Sequence, residues 1–146
     1  MRIPKPPKRS PKPKKRVARK SKRPRRKLLA YCDSLWSQIV RRPRACAICG
    51  STERLQGAHG FSRRYHATRH DLRNGFCLCA GHHVYYTHRP LEWDEYLLNA
   101  WGADLYYALR LKALANERQD LELTAKALEA VLHMGRESAG GTAVSA

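Results

Sequence analysis

Apolar residues recur at helical spacing over residues 28–42, where Leu28, Cys32, Leu35, Trp36, Ile39 and Val40 share one face. Pro43 is expected to end that helix. Leu55 to Phe61 and Gly75 to Leu78 read as two short strands that pair back on one another. Between them, residues 62–73 are polar and predict a loop. A short helix is expected from about Cys79. Pro90 opens another, with Trp93, Tyr96, Leu97, Ala100 and Trp101 on one face and Gly102 as its cap. Residues 103–117, with Leu105, Tyr107, Leu109, Leu111 and Leu114, predict a further helix. Residues 120–134 predict a last one, stopped by Gly135. The pattern is that of an α+β protein, with a small centre of two strands and a helix wrapped by further helices.

Charge changes the picture at one end. The 146 residues carry a formal charge of +17, and residues 1–27 hold 15 Lys or Arg, six of the eight prolines and no acid. That leaves 14 basic and 12 acidic groups in the other 119 residues, so the basic character belongs to a tail. Such a segment is expected to be extended and disordered, and its charge density favours a polyanion partner, DNA or RNA ahead of a membrane surface. The expected layout is a tail over 1–27, a compact domain over 28–135 and a flexible end over 136–146. No apolar run approaches the ~20 residues needed to span a bilayer, so the expectation is a soluble cytoplasmic protein.

Four of the five cysteines fall within residues 46–79, beside histidines. Cys46-x-x-Cys49 offers two thiolates from a tight turn, and Cys79-x-x-His82 offers a thiolate and an imidazole from a helix start. Together they predict tetrahedral Cys3His zinc. A ββα unit of ~40 residues has too little core to stand alone, and zinc supplies the missing stability. Cys77 lies two residues from Cys79, on the same strand face, and is an alternative fourth ligand to His82.

His59, Asn74 and His83 follow one another in the order His, Asn, His within this frame. In a ββα-metal site a strand histidine activates water, a hairpin Asn fixes its geometry, and a helix histidine holds a divalent cation against a phosphate. Arg63, Arg64, Arg69 and Arg73 lie within eleven residues of the intervening loop and suit phosphate contacts, the alternative being solvated arginines paired with Asp71. His66, His70 and Asp71 are reserve candidates for a base or ligand, ahead of His88.

Several stretches resemble the lambdoid phage NinG (Rap) recombination family over about residues 31–115. They are Trp36-Ser37-x-x-Val40-Arg41, the Cys-x-x-Cys-Gly, Leu55-Gln56-Gly57-Ala58-His59-Gly60-Phe61-Ser62-Arg63-Arg64, Ala67-Thr68-Arg69-x-Asp71-x-x-Asn74 and Cys79-x-x-His82-His83. That family is similar to the wider HNH (ββα-metal, His-Me finger) nucleases. The resemblance implies an endonuclease cutting branched DNA, a Holliday junction or D-loop, during phage recombination in the host cytoplasm. It assigns catalysis to His59, Asn74 and His83, and structural zinc to Cys46, Cys49, Cys79 and His82, with Mg2+ or Mn2+ as the catalytic cation. Two cuts at a junction fit a homodimer, and host or phage recombination proteins are the implied partners. Ala58 stands where many HNH enzymes carry a metal-binding Asp or His. Either His59 is itself the ligand, or His83 holds most of the cation. The competing expectations are a non-catalytic zinc module binding branched or single-stranded DNA, and an RNA-binding basic protein.

Overall fold

The computed structural model describes residues 23–137. In chain order it runs α1 (Arg23–Val40), β1 (Leu55–His59), a single 3-10 turn (Leu72–Asn74), β2 (Gly75–Cys79), α2 (Ala80–Thr87), α3 (Pro90–Ala115) and α4 (Leu121–Glu137). This is the expected α+β arrangement: one two-stranded sheet, four helices and a Cys/His group able to hold zinc. None of these helices is long and apolar enough to cross a membrane.

The strands pair antiparallel from Leu55↔Cys79 to His59↔Gly75. Because successive side chains alternate, Gly57, His59, Gly75 and Cys77 share one face, and Gln56, Ala58, Phe76 and Leu78 the other. The first face receives α1. A Cβ on Gly75 would collide with the side chains of Val40 and Trp36, so only glycine lets the helix approach so closely. Gly75→Ala is expected to destabilise the fold by about 1–3 kcal/mol through overpacking, read as a lowered midpoint in urea unfolding. The second face is covered by α2 and α3. There Phe76 meets Trp93 edge-on at 5.4 Å and lies along Trp101 at 5.3 Å.

The apolar stripe of α1 is buried as its spacing predicts. Cys32, Leu35, Trp36, Ile39 and Val40 pack on Ala125 and Leu128 of α4, with Leu121, Val131 and Leu132 around them. Each large side chain buried this way is worth about 1.5–3 kcal/mol. Arg42 fastens the far end, donating to the carbonyls of Val131 and Leu132 at 2.9 and 2.8 Å.

Some boundaries differ from expectation. Helix α1 begins at Arg23, inside the stretch assigned to the tail. Pro24 is tolerated there because the first-turn N–H groups have no intrahelical partner. The remainder of the expected tail, 1–22, and residues 138–146 lie outside the described residues. Gly102 does break α3, with φ 73° and ψ 164°. Gly135 does not stop α4, which Asp120 caps through the N–H groups of Glu122 and Leu123. Beyond Gly102 the buried face is Tyr106, Leu109 and Ala113, whereas Tyr107, Leu111 and Leu114 are exposed. Apolar character marked both faces of this helix, and tertiary packing chose between them.

Candidate active site

The turn after α1 builds half of a metal cage. The Cys46 N–H donates to the Ser51 carbonyl at 2.8 Å, and the Gly50 N–H returns to the Cys46 carbonyl at 2.9 Å. Gly50 supplies the positive φ of 70° that the turn requires. The other half comes from the junction of β2 and α2, where Cys79 caps the helix and His82 lies in its first turn. The four ligand atoms of Cys46, Cys49, Cys79 and His82 all fall within 4.8 Å of one another. Cys49 Sγ is 3.9 Å from Cys79 Sγ, and His82 Nδ1 is 3.7 Å from Cys46 Sγ and 3.3 Å from Cys79 Sγ. A tetrahedron with Zn–S bonds of ~2.3 Å has edges of roughly 3.8 Å, so the group can take a metal ion such as zinc with shifts of no more than about 1 Å. Burial opposes ionisation of Cys46. Even so, the backbone groups of Cys49, Cys79 and Ile48 hold its thiol down at about 6, which favours the thiolate a metal needs. Cys77 is buried nearby and is not one of the four.

On the same hairpin, His59 closes β1. Its ring stacks on the indole of Trp36, centroids 3.8 Å apart and planes 10° apart. His59 Nε2 lies 3.0 Å from the carbonyl oxygen of Arg69. A carbonyl only accepts, so Nε2 carries the proton and Nδ1 keeps a free lone pair. Burial pushes the imidazole down to about 4, although the Arg69 carbonyl pulls the other way. The ring is therefore a neutral base at physiological pH.

The loop that presents that carbonyl is held at several points. Arg69 grips Asp33 of α1 through two bonds of 2.6 and 2.8 Å and donates to the Arg63 carbonyl. His70 lies between Asp33 at 2.9 Å and Gln119 at 3.0 Å. Burial alone would raise the Asp33 carboxyl, but its bonds to Arg69 and His70 hold it low. Asn74, fully buried, accepts from the Phe61 N–H at 2.7 Å and donates to the carbonyls of Phe61 and Thr68 at 2.9 and 3.0 Å. It ties the loop's two ends together.

His83, on α2, places Nδ1 2.6 Å from Gln56 Oε1 of β1. The amide oxygen accepts a hydrogen bond from Nδ1–H, which leaves Nε2 as the nitrogen available to a cation. Burial also lowers the pKa of this ring, which favours the neutral form that metals bind. His59 and His83 line one cleft of about 620 Å3, together with Asp33, Ser62, Arg63 and Ala58. Asn74 does not line it.

The four loop arginines divide into two kinds. Arg63 lines the cleft, and Arg64 lies over the Tyr65 ring at 5.1 Å. Among the described residues no ion pair involves either. Arg69 is bound to Asp33, and Arg73 to Asp71, which Lys112 also reaches at 2.8 Å. Burial would raise Asp71, yet Arg73 and Lys112 hold it at about 2. Of the reserve candidates, His70 and Asp71 are thus occupied by structural partners. The His66 N–H donates to Asn116, and His88 ends α2.

Sequence reading passed over Asp33 and Gln56. Asp33 stands three residues before Trp36, hence on the same side of the helix. Gln56 is a lone polar residue on the strand face that otherwise carries Ala58, and either could have been noticed on those grounds.

No curated protein and no solved structure matches this chain. Residues 46–89 match the family described as HNH endonuclease. The matched stretch holds the cage, the hairpin and α2, and leaves α1, α3 and α4 outside. This segment is similar to HNH endonucleases, and the match supports a place for it in the HNH-like nuclease superfamily.

Proposed function

We propose that the protein is a metal-dependent endonuclease that hydrolyses phosphodiesters in branched DNA. The observation that carries this reading is the neutral His59, its Nδ1 unprotonated, lining the same cleft as His83. His59 Nδ1 takes a proton from a water molecule, the resulting hydroxide attacks phosphorus, and one P–O ester bond breaks, its leaving oxygen taking a proton from solvent water. His83 Nε2 would hold a divalent cation, Mg2+ or Mn2+, which when bound would supply Lewis-acid stabilisation of the charge that develops on the phosphate oxygens. Gln56 positions His83, while Trp36 and the Arg69 carbonyl position His59. Asn74 acts through the loop it holds. Arg63 and Arg64 contact DNA phosphates, and Arg69 and Arg73 keep the loop in register behind them.

The resemblance to NinG proteins extends the proposal to phage recombination in the host cytoplasm, with recombination proteins as partners and a homodimer for paired cuts. The test is incubation of labelled four-way junctions and linear duplexes with the protein and Mg2+ or Mn2+. Nicking concentrated at the branch is expected. Cleavage of neither substrate in either cation would overturn the proposal.

One observation favours a second reading, a DNA-binding zinc module without catalysis: Ala58 brings no ligand to the cleft beside His59. Junction binding without cleavage would select it.

Either reading uses the basic tail. Residues 1–22 carry 11 Lys or Arg. Deleting them is expected to weaken DNA binding broadly and to flatten its salt dependence by roughly 0.9 log units per lost phosphate contact. Titrations over a range of KCl concentrations check this, and an unchanged slope would mean that the tail does not touch the backbone.

A further inference from the structure

The cleft is roomier than a phosphodiester requires, and its lining is of two kinds. His59, His83 and Arg63 are polar. Tyr86, Pro90 and Trp93 give an apolar, largely aromatic wall. The two rings are half-buried and fixed by their neighbours. Trp93 donates from Nε1 to the Gly60 carbonyl at 2.9 Å and stacks on Tyr96, centroids 5.3 Å apart and planes 11° apart. Tyr86 leans on Trp93 at 5.0 Å and on Tyr96 at 5.7 Å. Rings already locked in place lose little freedom when a ligand lands on them. A phosphate gains nothing from such a wall. A nucleobase does, because every base has a π-face that stacks on aromatic side chains. In an intact duplex that face is covered by neighbouring bases.

We infer that Tyr86, Pro90 and Trp93 form a subsite for one unpaired nucleobase beside the phosphate, so that the preferred substrate is DNA with an unstacked nucleotide. Single strands, bulges and open branch points share that feature. The inference rests on the reading that His59 and His83 flank the phosphate, and it supplies a reason why a branch would be chosen over plain duplex.

The test uses the full chain without added divalent cation, so that binding is read apart from cutting. A bulged duplex carries 2-aminopurine as the extra nucleotide, and a fully paired duplex of equal length serves as reference. Tighter binding of the bulged DNA is expected, with 2-aminopurine emission quenched on binding. Tyr86→Leu should lose roughly 5- to 150-fold in affinity for the bulge, with binding to the paired duplex unchanged. Tyr86→Phe, which keeps the ring, should retain the preference. Zinc content and the unfolding midpoint of Tyr86→Leu check that it is folded. Equal affinity of the wild-type protein for the two DNAs, or unquenched emission in the complex, overturns the subsite. If the bulge binds as expected and no cation then supports cutting, the nuclease reading fails and the subsite stands. Cleavage of paired and bulged DNA at equal rates fails the subsite alone.

Discussion

His59→Ala is expected to lower the rate of DNA cleavage by about 10²- to 10⁴-fold, the usual contribution of a positioned general base, while DNA affinity changes little. The reason is the hydrogen bond from Nε2 to the Arg69 carbonyl, which leaves the lone pair on Nδ1. His83→Ala is expected to lose comparable activity by a different route. More added Mg2+ or Mn2+ should recover part of it, because the lesion is in cation binding. The pH profile separates the cases further. Protonation would silence His59, and its pKa near 4 lies below the ordinary value because burial disfavours the charged ring. The base form is therefore retained as pH falls through 6.5 and is lost only towards 4. Single-turnover rates for wild type should show no loss centred near pH 6.5 that vanishes in His59→Ala. Undiminished cutting by His59→Ala would remove this residue from the chemistry.

The second large effect concerns the cage. Cys46→Ser is expected to abolish stoichiometric zinc and to unfold the hairpin and α2. Structural zinc contributes on the order of 10–16 kcal/mol in small zinc-dependent units, as much as the ~5–15 kcal/mol net stability of a whole domain. The core around the hairpin is too small to replace it: Cys46, Ala58 and Leu78 are its buried members, with Ile48, Leu55, Phe76 and Trp93 partly buried against them. Metal analysis of the purified protein should find one zinc per chain, and circular dichroism should follow the loss of structure. His82→Cys should keep the metal, since a fourth thiolate also completes a tetrahedral site. Cys77→Ser should keep it too, because Cys77 is not among the four clustered ligands. Zinc retained in His82→Ala but lost in Cys77→Ser would reverse that assignment.

Much of this arrangement was legible in the chain, for physical reasons that can be named. The α1 stripe, the two strands and the paired Cys and His spacings are local patterns with fixed periods. Pro90 and Gly102 mark helix limits through their own backbone chemistry. Less was legible where distant contacts decide. Tyr107 and Leu111 look as apolar as Leu109, and only packing left them outside. The four arginines look alike in sequence, yet Arg69 and Arg73 meet carboxylates while Arg63 faces the cleft. The partners that fix which nitrogen of His59 and His83 is free, the Arg69 carbonyl and Gln56, come from two separate segments and leave no periodic trace.

Helix α1 lies wholly outside the segment that matches the HNH family, yet it supplies Trp36 beneath His59 and Asp33 behind Arg69. On the proposed reading, the shortest stretch able to hold an ion and the shortest able to cut DNA are thus different lengths of chain. A peptide trimmed to 46–89 would keep its cysteines and histidines while forfeiting the floor and the brace of its imidazole. Any transplant of this module into another protein must bring the preceding helix with it.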